Sequence, residues 1–348
     1  MKKGAVYWFV IVGIVLASST AWATVYKVTD VLMPAYGYVV DMNSSGTVVG
    51  VFYSGEIEHS FTWSASKGFT NLDPLPGYDC ASARAINGAG QIVGYSYVGH
   101  ADYNRQNTLW NTTSSPSACS GTMLDIADSG TMVGRSADGW AVVCNGADQE
   151  RICAKARANA ISSNGAVVGM RDDGTSFLWT KTGGLRDIVV PSTHRPEAIA
   201  VNDAGQVLVQ CGLQPTAVSS AIAAYLWEEG KGAVRIGSST EAVFAMSMNA
   251  AGQVAGELYE LSSMPMSSMP YVWDAANGVQ VLPFDPTWRG AAACAMSDSG
   301  IIAGESIDAA GGSHLLLWTP ITPEPSSLLA LLAGVSGIGG LMVRRKTR

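Results

Sequence analysis

Apolar residues along most of the chain come in short runs broken by glycine and small polar residues, without sustained helical spacing. The segment Arg84-Ala85-Ile86-Asn87-Gly88-Ala89-Gly90-Gln91-Ile92-Val93-Gly94 sets the pattern. It has an apolar run, an Asn-Gly turn, and a second Val/Ile-rich run that ends on glycine. Six relatives carry the first glycine at 46, 130, 165, 205, 252 and 300, so the copies recur every 35 to 48 residues. Six of the seven copies then add an apolar triplet ending in tryptophan: Phe61-Thr62-Trp63, Thr108-Leu109-Trp110, Phe177-Leu178-Trp179, Tyr225-Leu226-Trp227, Tyr271-Val272-Trp273 and Leu316-Leu317-Trp318. The third copy has Val142-Val143-Cys144 there, and Cys144 stands 14 residues after Gly130, as Trp179 does after Gly165.

Each copy reads as four strands. Asn or Asp next to Gly is hairpin chemistry, and it separates strands such as Ala83–Ile86 and Gln91–Tyr95. A variable loop leads to the Trp-ending strand, and a Gly-containing turn to a fourth, such as Gly68–Leu72 or Gly278–Leu282. Four-stranded units at this period predict a β-propeller, here with seven blades over residues 24–320. The seventh copy stops at Trp318-Thr319-Pro320 without a fourth strand, while Tyr26–Leu32 is a spare strand before the first copy. The expectation is that this N-terminal strand completes the last blade and closes the ring.

The ends carry different signals. Residues 1–23 read as a signal peptide with a helical apolar stretch. Lys2 and Lys3 precede Ala5–Ala17, and Ala21-Trp22-Ala23 supplies a small-x-small site for signal peptidase. Residues 321–327 form a Pro-rich linker containing Pro323-Glu324-Pro325. Residues 328–348 read as a transmembrane helix followed by Arg344, Arg345 and Lys346 as a basic stop. Pro-Glu-Pro, a short span and a basic end resemble the PEP-CTERM sorting signal of Gram-negative bacteria. That resemblance implies cleavage by an exosortase, a transient membrane anchor, and delivery to the cell surface or extracellular matrix. The repeat itself resembles extracellular HAF-type repeats. The copies at Gly130, which lacks the Asn and Trp, and at Gly205, where Val209 replaces the second glycine, depart from that pattern and are expected to be irregular.

Composition agrees with a turn-rich β protein. Charged residues are 14% of the chain and there are 39 glycines in 348 residues. That excludes a coiled coil and a disordered acidic chain. The net charge is −7, and six of the 21 basic residues lie in the two end segments, so the body is more acidic still. An acidic body argues against nucleic acid as a partner.

Candidate chemistry is sparse. The tryptophans could stack on sugars, but a fixed place in each unit points to core packing. The Asn and Asp residues of the turns lack the alternating acidic run of a calcium loop. His59, His100 and His314 are expected in loops between second and third strands, and neither they nor His194 show metal-ligand spacing. Asp172-Asp173 and Glu228-Glu229 read as turn residues. No nucleophile elbow, phosphate loop or dinucleotide fingerprint occurs. No catalytic residue, cofactor or metal ligand is therefore assigned. Among six cysteines, Cys144 and Cys153 flank one turn and are the first candidate disulfide, Cys80 and Cys119 a weaker second, with buried free thiols the alternative. The leading expectation is a non-enzymatic surface or matrix protein that binds a glycan or protein through loops such as Tyr97–Gln106 and Leu258–Pro270. The alternative is a propeller hydrolase or lyase acting on extracellular polysaccharide.

Overall fold

The structure, a computed structural model, describes residues 24–321 apart from 56, 100–104, 112–113, 193, 213–221 and 262–267. These residues form seven antiparallel four-stranded sheets, and six of them use four consecutive strands. Blade 1, for example, is built from Gly37–Met42, Val48–Ser54, Ile57–Ser64 and Gly68–Leu72. The first strands of neighbouring blades touch one another all the way round, and that of blade 7 touches that of blade 1. The sheets therefore form a closed ring with the first strands at the axis.

Blade 7 is completed from the other end of the chain. Val25–Leu32 pairs antiparallel with Ser313–Ile321, from Val25 opposite Ile321 to Leu32 opposite His314. His314 clasps this joint. One ring nitrogen lies 2.7 Å from Asp30 Oδ1, the other 3.2 Å from Asp308 Oδ2, and Trp288 lies against the ring at 4.4 Å. Burial lowers the imidazole pKa, but Asp30 and Asp308 outweigh it and hold the group above its ordinary value. The clasp is thus strongest in mild acid and weakens as pH rises through that raised pKa.

One register recurs in every blade. The residue opening the second strand faces the end of the Trp triplet: Val48 opposite Trp63, Ile92 opposite Trp110, Val207 opposite Trp227 and Ile302 opposite Trp318. Met132 faces Cys144 in the same way. The copies expected to be irregular, blades 3 and 5, are complete four-stranded sheets with this register. Each first strand also carries a β-bulge, which turns one extra residue out of the ladder: Val40, Arg84, Leu124, Asn159, Ile199, Met246 and Cys294.

Polar side chains join the blades near the axis. Asn43 Nδ2 donates to Asn87 O, and Asn87 Nδ2 to Ala127 O, each at 3.0 Å. Asp128, Asp203 and Asp298 each accept a backbone N–H from the preceding blade. The same asparagines cap their own hairpins, as when Asn43 Oδ1 accepts from Thr47 N at 3.0 Å. The turn residues thus also rivet neighbouring blades.

The expected helices are corrected here. The fold is all-β: no helix occurs among the described residues, and none there is long and apolar enough to cross a membrane. The expected signal helix (with Ala21 and Ala23), Pro323-Glu324-Pro325, and the transmembrane helix with Arg344, Arg345 and Lys346 all lie outside the described residues. Among the described residues no helix carries the membrane step, its exosortase and signal-peptidase partners or the transient membrane localisation, and these readings are set aside. All six cysteines carry free thiols in the structure, the expected pair Cys144 and Cys153 among them. Across the third and fourth strands of blade 3, Cys144 faces Gln149 and Cys153 faces Ala141, so the two are out of register with each other.

Candidate active site

Strand alternation puts the Asn/Gly hairpins and the third-to-fourth turns at one end of the ring. The loops between second and third strands, and those between blades, lie at the other end. Grooves on the hairpin face recur between successive blades, for instance about 530 Å³ between blades 4 and 5 and about 400 Å³ between blades 1 and 2. Their repetition makes them a product of blade geometry. The titratable groups that burial perturbs lie instead along the inner strands.

The residue directly after the repeat's second glycine, or after Val209 in blade 5, is a variable position beside the axis. It is Val51, Tyr95, Arg135, Met170 and Gln210 in blades 1 to 5, and Glu257 and Glu305 in blades 6 and 7. The glycine before it lets the strands approach closely: a Cβ on Gly304 would overlap the Ala292 carbonyl and meet Trp318 at 2.7 Å. Gln210 shows what the position does structurally. Its Oε1 accepts from Ala245 N at 2.8 Å, in the first strand of the next blade. Glu305 makes the same link, with Oε2 accepting from Val39 N at 2.5 Å in blade 1.

A carboxyl here has different electrostatics from an amide. Burial pushes Glu305 up to about 7, opposed by the Val39 bond and reinforced by Glu257. Burial also raises Glu257, partly offset by Tyr259, whose hydroxyl donates to Glu257 Oε2 at 3.3 Å, and by Ser268. Two further groups complete the cluster. Burial holds the Cys294 thiol well above its ordinary value, with Glu305 and Glu257 adding to the effect. Tyr271 is fully buried, is electrostatically coupled to Glu257, and its hydroxyl has no hydrogen-bond partner among the described residues.

Asp41 and Asp125 are also raised, to about 7 and about 6, chiefly by burial. Both are committed to structure, however. Asp41 Oδ2 accepts from Ile86 N at 2.9 Å, and Asp125 Oδ2 from Ile161 N at 2.8 Å. Glu257 has no such backbone bond among those found, and Glu305 has one. Each aspartate accepts a backbone N–H at both of its oxygens, so the Glu257–Glu305 pair is the less committed one.

Aromatic residues flank this side of the ring. Tyr36 and Tyr38 pack against Tyr53 at 6.1 and 6.4 Å, Tyr95 against Tyr97 at 5.8 Å, and Phe244 edge-on to Tyr259 at 5.8 Å. Tyr97 donates to Glu58 Oε2 at 2.7 Å, while Glu58 Oε1 is sealed from solvent without a partner. Arg84 and Arg105 lie over the Tyr95 ring.

The residues singled out from sequence fall elsewhere. Trp63, Trp110, Trp227, Trp273 and Trp318 are buried between blades, so they form core rather than a stacking surface. His59 and His314 stand on third strands rather than in loops. Asp172 is paired with Arg135, Glu229 with Arg186 and Glu228 with Lys231. Of the two expected contact loops, residues 100–104 and 262–267 lie outside the described residues.

No family model matches the chain, and no curated protein does. The PEP-CTERM and HAF resemblances thus find no support there. Solved structures do match in fold. One is a catalytically inactive histidine-to-alanine variant of virginiamycin B lyase from Staphylococcus aureus with quinupristin. It is 10% identical with a TM-score of 0.55, over 85% of this chain and 100% of that one. Another is YCF48 bound to a D1 peptide, 10% identical with a TM-score of 0.50, over 84% of this chain and 97% of that one. At such identity the likeness is one of fold. Because one of these propellers is a lyase, the fold gives no support to the expectation of a non-enzymatic surface protein.

Proposed function

We propose that this propeller is a polysaccharide-acting hydrolase or lyase that works by general acid–base catalysis at the Glu257–Glu305 pair. The observation that carries the reading is a buried Glu305, raised to about 7 and electrostatically coupled to the raised Glu257, which is coupled in turn to the unpartnered Tyr271 hydroxyl. Glu305, still protonated near neutrality, supplies the proton to the departing glycosidic oxygen. Glu257, once ionised, removes a proton from water in hydrolysis, or from the sugar carbon next to a uronate carboxylate in elimination. The flanking tyrosines and Phe244 offer faces for sugar rings.

The test is loss of viscosity when neutral and uronate-containing polysaccharides are incubated with the protein. Ultraviolet absorbance of unsaturated products separates elimination from hydrolysis. Glu305→Gln is the informative variant, because Gln210 already fills the equivalent place in blade 5 with the same backbone bond. It should keep the fold and lower the rate by roughly 10²–10⁴-fold. An unchanged rate in this variant would remove Glu305 from the mechanism.

A further inference from the structure

We propose that Cys119 and Cys144 are a disulfide-forming pair that staples blade 2 to blade 3. The argument starts from what tryptophan does at the same place elsewhere. Trp110 Nε1 donates to Asp73 O, and Trp318 Nε1 donates to Pro283 O, each at 2.7 Å. Both acceptors lie just after the fourth strand of the preceding blade: Asp73 follows Gly68–Leu72, and Pro283 follows Gly278–Val281. Each indole thus ties its blade to the chain leaving the blade before it.

In blade 3 the tryptophan position is Cys144, facing Met132 in the shared register. The residue just after the fourth strand of blade 2, Ser114–Ala118, is Cys119. The two ends of the missing indole contact are therefore both sulfur. Cys119 packs on the apolar cluster that contains Cys144, Met123, Met132 and Val142. The two thiols are also electrostatic neighbours, since burial first and Cys144 second push Cys119 up to about 11. Cys153, on the outer strand, takes no part: it packs with the cluster of blade 4 that includes Ala156 and Phe177.

The oxidant is a small disulfide. The Cys144 thiolate attacks one sulfur of oxidised glutathione and releases one glutathione thiol. The Cys119 thiolate then displaces the second glutathione from the mixed disulfide. In sum, two protein thiols lose two protons and two electrons, and glutathione disulfide becomes two thiols. Cys144 is buried in the folded ring, so closure belongs to folding, before blades 2 and 3 dock.

The experiment refolds the full chain in a buffer of oxidised and reduced glutathione, then maps disulfide-linked peptides by mass spectrometry without reduction. The expected result is a chain lighter by two hydrogens, with a Cys119–Cys144 linked peptide and a higher Tm than the reduced protein. Cys119→Ser should abolish the linked peptide and the Tm gain, whereas Cys153→Ser should leave both. A Cys144–Cys153 peptide, glutathione adducts without an internal link, or no mass loss at all would each overturn the pairing.

Discussion

A chain lacking residues 24–32 should fail to unfold as one cooperative unit and should aggregate at concentrations where the full chain does not. The deleted segment supplies the whole fourth strand of blade 7, eight residues paired from Val25 to Leu32. Without it, the backbone donors and acceptors on one edge of Ser313–Ile321 lose their partners, and an open, long strand edge invites pairing with other chains. Tyr26, which is buried, and the half-buried Val28 would leave a cluster that includes Trp318, Leu316 and Ile302. The Asp30 side of the His314 clasp would be lost too. Size-exclusion chromatography and thermal unfolding measure both effects. A truncated chain that stays monomeric with the Tm of the full chain would mean the ring does not depend on this joint.

The second large effect is expected at Trp318. Its side chain is fully buried, packs with Leu316, Met296 and Tyr26, and donates its indole N–H to Pro283 O. Trp318→Ala removes this packing, leaves a cavity at the closing blade and strips the Pro283 carbonyl of its donor. The cost should be about 3–5 kcal/mol, read as a lower urea midpoint. Trp179 holds the same repeat position but is only half-buried, so Trp179→Ala should cost clearly less. Equal losses at the two sites would contradict the burial argument.

Both effects concern features that can be read from the chain alone. The glycine and tryptophan intervals mark the blades, because each unit needs the same hairpin, the same close strand approach and the same interblade plug. The spare strand at residues 26–32 is visible because the seventh copy is one strand short. Blades 3 and 5 looked irregular because Cys144 and Val209 replace landmark residues. The structure shows that the ladder register tolerates both.

The candidate site was harder to see. Glu257 and Glu305 are single residues in different copies, 48 positions apart, and neither belongs to a local motif. Their one sequence signal is positional: acid follows the second glycine in blades 6 and 7, where the other blades have Val, Tyr, Arg, Met or Gln. Their meaning depends on ring closure, which sets Glu305 against Val39 from the far end of the chain. The proposed cysteine pair was hidden for a similar reason. Nearness in sequence favours Cys144 with Cys153, while packing puts Cys119 of the neighbouring blade against the cluster that holds Cys144.

The central claim is that the closed ring desolvates a carboxyl pair and keeps one proton on it near neutrality. A raised pKa also means that the fold favours the protonated group, so this contribution to stability is full below the ordinary glutamate range and is lost as pH rises through about 7. Carboxyl NMR titration of glutamate-labelled protein, with Glu305→Gln for assignment, measures it directly. The expected result is a Glu305 resonance titrating near 7 and a Glu257 resonance above the ordinary range. Two resonances titrating near 4.5, as in an exposed glutamate, would contradict the account.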